Sequence, residues 1–231
     1  MPDYLPLCAF RQGLLPAACR TCAWWQTTGN ERLSPEEATE RRRQWMSALE
    51  STWGPTGLLL QGPDQAPSAA PAAGRTGGAP DPVIVASVSF APAAAIPRLR
   101  SLPFISLPAG SAFLFCPTLA EGQPRALAKR TLHKALGELR ARGVLEAYAL
   151  ATPSGETAAE VPTSGHSCGF FSLGFLAASG FQQVMENGDL VLMRVDLRGL
   201  LSLIGQVKTA VKRVLRNEPA PSPVTWTRRG T

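Results

Sequence analysis

The chain has 231 residues, enough for one domain with appendages or for two small domains. Apolar residues make up 45% and charged residues 17%, so a sizeable core can form, and the net charge of +6 suits a polyanionic partner or ligand. No run of about 18 apolar residues occurs and no secretory signal is recognisable, so we expect no membrane span, a cytoplasmic location and five reduced cysteines.

The N-terminal third begins with a sparse segment and continues into a helix. We expect residues 1–33 to be an extension in which "CRTCAWWQ" forms a short strand or a buried plug. A helix then begins after Ser34, because Glu37 completes a capping box and Pro35 takes the first helical position. Gly54 and the proline after it end this helix.

Two strands follow, with a proline-rich segment between them. "TGLLLQ" and "VIVASVSFA" are apolar runs typical of buried strands. Residues 62–82 are rich in Pro, Ala and Gly and cannot bury enough surface to order themselves, so we expect a flexible insertion. Residues 92–108 are expected to form an irregular, proline-punctuated connection.

The centre of the sequence predicts a β-α-β unit. "SAFLFCPTL" is a strand that must bulge or lose a partner at Pro117, which has no N–H to donate. The next segment is a helix that ends at Gly143, and "VLEAYALA" is the second strand. The core side of the helix is a stripe at helical spacing, formed by Ala128, Leu132, Ala135, Leu136 and Leu139.

The remaining sequence predicts a loop, a helix, a hairpin and a last helix. After the loop 151–168, "GFFSLGFLAASGF" is expected to be a short apolar helix ending at Gly180. "FQQVMENGDLVLMRVDL" indicates a hairpin with a type I′ turn at Asn187-Gly188. An amphipathic helix at 199–216 completes a main domain spanning 34–216, and 217–231 is expected to be a disordered tail.

The start of the central helix carries an unusual charge. A helix N-terminus is already positive, yet Arg125, Lys129 and Arg130 lie in its first turns and its first acid is Glu138. Unpaired N–H groups at such an end bind phosphate. The pattern therefore indicates either a site for a large anion or a solvated basic helix face.

The order of these elements resembles the GNAT superfamily of acyl-CoA N-acyltransferases over residues 35–197. The motif is Gln123-Pro-Arg-Ala126-Leu-Ala128 after a strand, and the distal signature is "LGFLAASGF". "CRTCAWW" is similar to the C-R-x-C-x-x-W segment of a set of small bacterial GNAT-like proteins. The resemblance implies an α/β fold with a mixed, mostly antiparallel sheet flanked by helices, an N-terminal extension and a C-terminal amphipathic helix.

The resemblance also implies acetyl-CoA as acyl donor and a small-molecule or protein amine as acceptor. The residues expected to hold the pantetheine arm are Cys116, Pro117 and Thr118. Those expected around the pyrophosphate are Gln123, Pro124, Arg125, Ala126, Leu127, Ala128, Lys129 and Arg130. The amine would attack the thioester while backbone N–H groups near Cys116 stabilise the oxyanion.

The sequence departs from the superfamily pattern at several positions. Ala126 replaces a usual glycine, and Pro124 removes a donor. Leu176 stands where a tyrosine often acts as general acid, and "AFLFC" carries no carboxylate to act as base. No catalytic residue is therefore assigned, and the alternative function is a catalytically degenerate acyl-CoA-binding or interaction module.

Other candidate sites are weaker. Cys19 and Cys22 lack the further ligands of a zinc site, so no metal is predicted. His133 is expected on a solvated helix face, and His166 has no evident orienting carboxylate for nucleophilic catalysis. Nucleic-acid binding would need basic and aromatic residues together, which the two tyrosines do not favour. Docking on the domain explains helix 199–216 more simply than a membrane surface does.

Overall fold

The computed structural model describes residues 3–29, 31–62, 82–102, 104–153 and 169–198. Almost all of these belong to one compact unit, Met1–Leu197. Four segments predicted from the sequence fall wholly or mostly outside the described residues. They are the insertion at 62–82, the loop at 151–168, the helix at 199–216 and the tail at 217–231. The expected domain boundaries remain predictions.

The described elements are eight strands, five helices and three short 3-10 turns. The strands are β1 (Tyr4–Pro6), β2 (Gly57–Gln61), β3 (Ile84–Pro92), β4 (Ala112–Leu119), β5 (Glu146–Thr152), β6 (Phe171–Ser172), β7 (Gln182–Asn187) and β8 (Leu190–Asp196). The helices are α1 (Ala17–Arg20), α2 (Pro35–Glu50), α3 (Pro97–Arg100), α4 (Arg125–Ala141) and α5 (Leu173–Ala177). The 3-10 turns are Ala9–Leu14, Trp24–Gln26 and Ala93–Ala95.

The strands form one sheet in the order β1-β2-β3-β4-β5-β8-β7, and β6 pairs with β5. All pairings are antiparallel except β4–β5 and β5–β6, which are parallel. Because parallel neighbours need a crossover, α4 connects β4 to β5 as the β-α-β pattern predicted. The mixed, mostly antiparallel sheet flanked by helices is confirmed.

Helices α2 and α4 cover opposite faces of the sheet. Trp45 of α2 packs with Phe115, and its Nε1 donates to the carbonyl of Ala95 over 2.8 Å. Leu127 of α4 packs with the cluster around Ala86. Ala86 lies three residues before Ser89, which pairs with Phe115, so Ala86 and Phe115 point to opposite faces. The capping box of Ser34 and Glu37 is confirmed at the start of α2.

Residues 3–29 are part of this architecture. β1 forms one edge of the sheet by pairing with β2. Of the two interpretations of "CRTCAWWQ", the buried plug is confirmed: Trp25 is 2% exposed, with its ring centroid 5.2 Å from that of Phe113 and 5.3 Å from that of Phe115. The segment expected to be an extension therefore supplies a central core side chain.

Two segments differ from expectation. The connection 92–108 contains α3, for which Pro97 provides a favourable first residue. The apolar run before Gly180 is not one helix, since Phe171–Ser172 forms strand β6 before α5 begins. The Ser172 hydroxyl caps α5 by accepting from the Phe175 N–H over 3.2 Å. Gly180, with φ of 92°, follows this helix as expected.

The predicted hairpin of β7 and β8 is confirmed, but the predicted type I′ turn is wrong. Asn187 pairs with Leu190, so the two loop residues are Gly188 and Asp189, one position later than expected. Gly188 has a positive φ of 58° and Asp189 does not. This pattern belongs to a type II′ turn, which places glycine at the first loop position.

Candidate functional site

The parallel strands β4 and β5 separate part of the way along the sheet. They pair at Ala112–Ala147, Phe113–Tyr148 and Leu114–Ala149 and no further. Beyond this point β5 pairs with β6 at Ala151 and Thr152. Within the described residues, the second half of β4 therefore has β3 on one edge and no hydrogen-bonded strand on the other. Openings at the carboxyl ends of parallel strands are common ligand sites.

A β-bulge lies where β4 leaves β5. Ser89 pairs with Phe115 and Ser87 pairs with Thr118, so β4 uses one residue more than β3 across this interval. Cys116 has a φ of 48°, a region that residues other than glycine rarely adopt. The bulge expected at Pro117 is thus confirmed, and the Ser87 and Thr118 hydroxyls, 2.6 Å apart, fix the strand beyond it.

Five residues, 120–124, separate the end of β4 from the start of helix α4. Its N-cap is Pro124, and no side chain caps it. The N–H of Gln123 donates to Ala120 O over 3.2 Å, and that of Leu127 donates to Pro124 O over 2.9 Å. In the part of the chain that the structure describes, the N–H groups of Arg125 and Ala126 have no comparable acceptor. Among residues 123–130, which the sequence predicts around a pyrophosphate, Arg125 and Ala126 therefore carry backbone N–H groups that are open to an anion.

The basic side chains of α4 have different surroundings. Arg125 and Arg130 are exposed. Lys129 Nζ donates to the carbonyl of Ala178 over 2.9 Å, which ties the first turns of α4 to the end of α5. His133, one turn further, is exposed as expected, and partial burial together with the Lys129 ammonium lowers the pKa of His133. Positive charge therefore concentrates beside the two open N–H groups.

The sequence-predicted residues thus form two neighbouring groups. Residues 116–118 lie on the second half of β4, and residues 123–130 form the start of α4. Ala126, at the position usually taken by glycine, is exposed, while Leu127 and Ala128 are half-buried. Binding of acyl-CoA by these residues remains a prediction.

The position expected for a general acid is apolar and closed. Leu176 of α5 is fully buried, and β4 carries no carboxylate. A phenol does lie on the same sheet face as Phe113: Tyr148 OH donates to Glu146 Oε2 over 2.8 Å, and burial together with this bond raises the pKa of Tyr148. It lies at the paired end of the strands, away from the bulge.

The Cys19 thiol, on the bulge side of the sheet, is protonated at neutral pH. Burial, followed by the neighbouring Cys116, raises the pKa of Cys19 to about 12, although the Arg42 guanidinium acts in the opposite direction.

Among the described residues, no three His, Cys, Asp or Glu side chains are grouped as a metal site requires. Nor does any helix in the described ranges have the length and apolar character of a bilayer span.

Sequence reasoning missed Arg42, which is 2% exposed and lies on the bulge side of α2. A signal was present in the helical spacing. Arg42 falls four residues after Ala38 and four before Met46, both of which are buried. The apolar stripe therefore runs through Arg42 and indicates that its side chain points inward.

Comparisons with known proteins give similar solved structures only. No family model and no curated protein matches the chain. The PaiA N-acetyltransferase from Thermoplasma acidophilum, solved with coenzyme A, has 13% identity and a TM-score of 0.46, with 85% of this chain and 99% of that chain covered. An N-acetyltransferase from Staphylococcus aureus Mu50 has 12% identity, a TM-score of 0.48 and the same coverage.

A further similar structure is the ribosomal-protein-alanine N-acetyltransferase from Brucella melitensis. Its identity is 13% and its TM-score 0.46, with 84% of this chain and 99% of that chain covered. The topology agrees with the element order on which the sequence resemblance rests, because the sheet is mixed and α4 crosses from β4 to β5. The chain has the mixed, mostly antiparallel sheet flanked by helices that the resemblance implies.

Proposed function

We propose that this chain is an acyl-CoA-dependent N-acyltransferase of the GNAT superfamily. One observation carries the proposal: β4 leaves β5 at a positive-φ bulge and leads directly into the uncapped, basic start of α4. An open strand edge next to a phosphate-binding helix end suits an elongated ligand with an amide-bearing arm and a phosphorylated end.

The residues at each part of this surface suit a different part of acyl-CoA. The open edge from Phe115 to Leu119 offers backbone groups to the two amides of the pantetheine arm. The N–H groups of Arg125 and Ala126, with the guanidinium groups of Arg125 and Arg130, suit the pyrophosphate. The Lys129 ammonium can contact the same anion, either while it donates to Ala178 O or in exchange for that bond.

The chemistry expected at the bulge is direct transfer of the acyl group to an amine. The amine nitrogen attacks the thioester carbonyl, and backbone N–H groups beside Cys116 stabilise the negative charge on its oxygen. The bond from carbon to sulfur then breaks, and the CoA thiol leaves with a proton. Because Leu176 has no proton to donate, we assign the proton transfers to water.

A second candidate function is acyl-CoA binding without catalysis. Two observations favour it: the fully buried Leu176 at the general-acid position, and the lack of a carboxylate on β4. Under this alternative the chain binds CoA with the same residues and produces no free thiol from acetyl-CoA.

Calorimetric titration with CoA tests the binding that both functions share. The wild type is expected to bind, and Ala126→Asp to lose binding, because the substitution adds bulk and negative charge beside the open N–H groups. Ala141→Asp, an exposed position at the other end of α4, is the matched control and should bind normally. Equal affinity in all three proteins would contradict the proposed site.

Thiol release from acetyl-CoA over a panel of amines separates the two functions. Release that depends on a particular amine supports the acyltransferase. CoA binding without release over a panel of small-molecule and peptide amines supports the binding module.

Membership in the subset with the C-R-x-C-x-x-W segment remains a prediction.

A further inference from the structure

Arg42 is a buried cation without a described anionic partner. Its side chain is 2% exposed on the sheet side of α2. No Asp or Glu among the described residues forms an ion pair with it. A buried charge without an opposite charge is strongly destabilising, so its presence indicates a compensating interaction.

The hydrogen bonds of Arg42 leave one edge of the guanidinium largely free. Nη1 donates to the carbonyls of Cys19 and Cys22, over 3.0 and 3.5 Å. Nη2 makes a long contact of 3.4 Å with the Ser89 hydroxyl, and Nε is buried with no partner in the described part of the chain. The Nε and Nη2 hydrogens lie parallel on one edge, the geometry that binds a carboxylate through both oxygens.

This free edge lies next to the β4 bulge. Ser89 on β3 pairs directly with Phe115, the residue before Cys116, and neighbouring strands are about 4.8 Å apart. Cys22, Phe115 and Cys116 belong to one buried cluster on this face. The Cys19 thiol does not supply the missing negative charge, because its raised pKa keeps it neutral at physiological pH.

We propose that the Nε/Nη2 edge of Arg42, together with the Ser89 hydroxyl, is a binding site for a single carboxylate group beside the bulge. The ligand class follows from the chemistry: the edge offers two parallel donors and a full positive charge, and the hydroxyl offers a third donor.

This inference rests on the proposed function for the identity of the molecule that carries the carboxylate. At the distance of one strand spacing from the bulge, the carboxylate can belong to the acceptor, as in an amino acid, or to the acyl group, as in a dicarboxylic acyl-CoA. Both sources use the same contact with Arg42, and a substrate comparison distinguishes them.

Binding of the carboxylate itself is tested by thermal unfolding of the full chain. We expect sodium acetate at about 50 mM to raise the melting temperature by about 2–4 °C more than acetamide with sodium chloride at equal ionic strength. Arg42→Lys keeps the charge but lacks the two-donor edge, and should lose the difference. Ser89→Ala should reduce it. Equal shifts of the melting temperature with acetate and with acetamide in the wild type would overturn the proposal. A buried water bound to Arg42 in place of a carboxylate would give this result.

The variants keep this test decisive. If Arg42→Lys does not fold, the wild type and Ser89→Ala still give the comparison, since Ser89→Ala removes only a long hydrogen bond. An acetate effect that is unchanged in Ser89→Ala and retained in Arg42→Lys would place the anion elsewhere and overturn the site.

Thiol release identifies the source of the carboxylate. If the acceptor carries it, acetyl-CoA with glycine should react about tenfold or more faster in kcat/KM than with glycinamide. If the acyl group carries it, succinyl-CoA with glycinamide should exceed acetyl-CoA with glycinamide by a similar factor. Either preference should disappear in Arg42→Lys, and a preference retained there would contradict the role of Arg42. An acetate effect without any CoA binding would leave the carboxylate site standing and reject the proposed function.

Discussion

The ammonium of Lys129 donates to the carbonyl of Ala178, and this 2.9 Å bond joins the first turns of α4 to the end of α5. A lysine in this place affects two properties at once. It adds positive charge next to the open N–H groups of Arg125 and Ala126, and it helps to hold α5 against α4.

Lys129→Glu should weaken CoA binding while the fold remains. Reversing a charge at a helix start and losing a charge-assisted hydrogen bond are worth about 0.3–1 and 1.5–3 kcal/mol, which predicts a loss of affinity of about tenfold or more. Calorimetric titration measures the effect. Lys134→Glu makes the same charge change further along α4 and should alter affinity far less. Equal losses in the two variants would indicate a general field effect rather than a site.

Trp25→Ala should be strongly destabilising. Trp25 is 2% exposed and packs against Phe113, Phe115 and Phe170, so truncation leaves a large cavity. We expect the free energy of unfolding in urea to fall by about 3–5 kcal/mol. Phe10, at 77% exposure, provides the control, and Phe10→Ala should change stability by less than about 0.5 kcal/mol. A small effect at Trp25 would mean that the N-terminal segment does not pack on the sheet.

Arg142→Met should destabilise through lost contacts after α4. Its guanidinium carbon lies 4.4 Å from the ring centroid of Trp53 and 5.2 Å from that of Phe90, and Nη1 donates to Pro55 O over 2.9 Å. Loss of the cation–π contact and of the hydrogen bond is expected to cost about 2–4 kcal/mol in thermal or urea unfolding. Arg130→Met removes an exposed arginine from α4 itself, and a result equal to that of Arg142→Met would contradict the role of these Arg142 contacts.

Stability should depend on Cys19 at alkaline pH. Partial burial raises the pKa of this thiol from its ordinary value of 9.0 to about 12 in the folded chain. The unfolded chain therefore loses the proton first, and the free energy of unfolding should decrease as the pH rises from about 9 to about 12. Unfolding of the wild type and of Cys19→Ala, measured at pH 7 and pH 10.5, should show a smaller decrease in the variant. Parallel pH profiles would show that the surroundings of the half-buried Cys19 do not disfavour its thiolate.

Elements with a long and regular pattern could be predicted from the sequence. The apolar stripe of α4 and the capping box of α2 led directly to their helices. The two-residue β6 could not be found this way, because Phe171 and Ser172 show no period and depend on the edge of β5 that β4 leaves free. The turn at Gly188 was misplaced because Asn187, a frequent turn residue, pairs instead with Leu190.

The candidate site was only partly accessible to sequence reasoning. A proline in an apolar strand predicted the bulge, and a run of cations at a helix start predicted an anion. The inward orientation of Arg42 was not predicted, because an arginine between two other arginines, Arg41 and Arg43, is normally assigned to solvent. Its burial results from the carbonyls of Cys19 and Cys22, which belong to a distant part of the sequence and are brought together with it only by the fold.

The short pairing between β4 and β5 has a mechanical consequence. Among the described residues, only three strand-ladder pairs connect the half-sheet β1–β4 to the half-sheet that contains β5, β7 and β8. Each half has longer ladders within itself, so the junction at Ala112–Leu114 is the natural hinge of the sheet. Amide hydrogens at this junction should exchange faster than those between β5 and β8, and small rotations about it would widen or narrow the opening beside the bulge without unfolding either half.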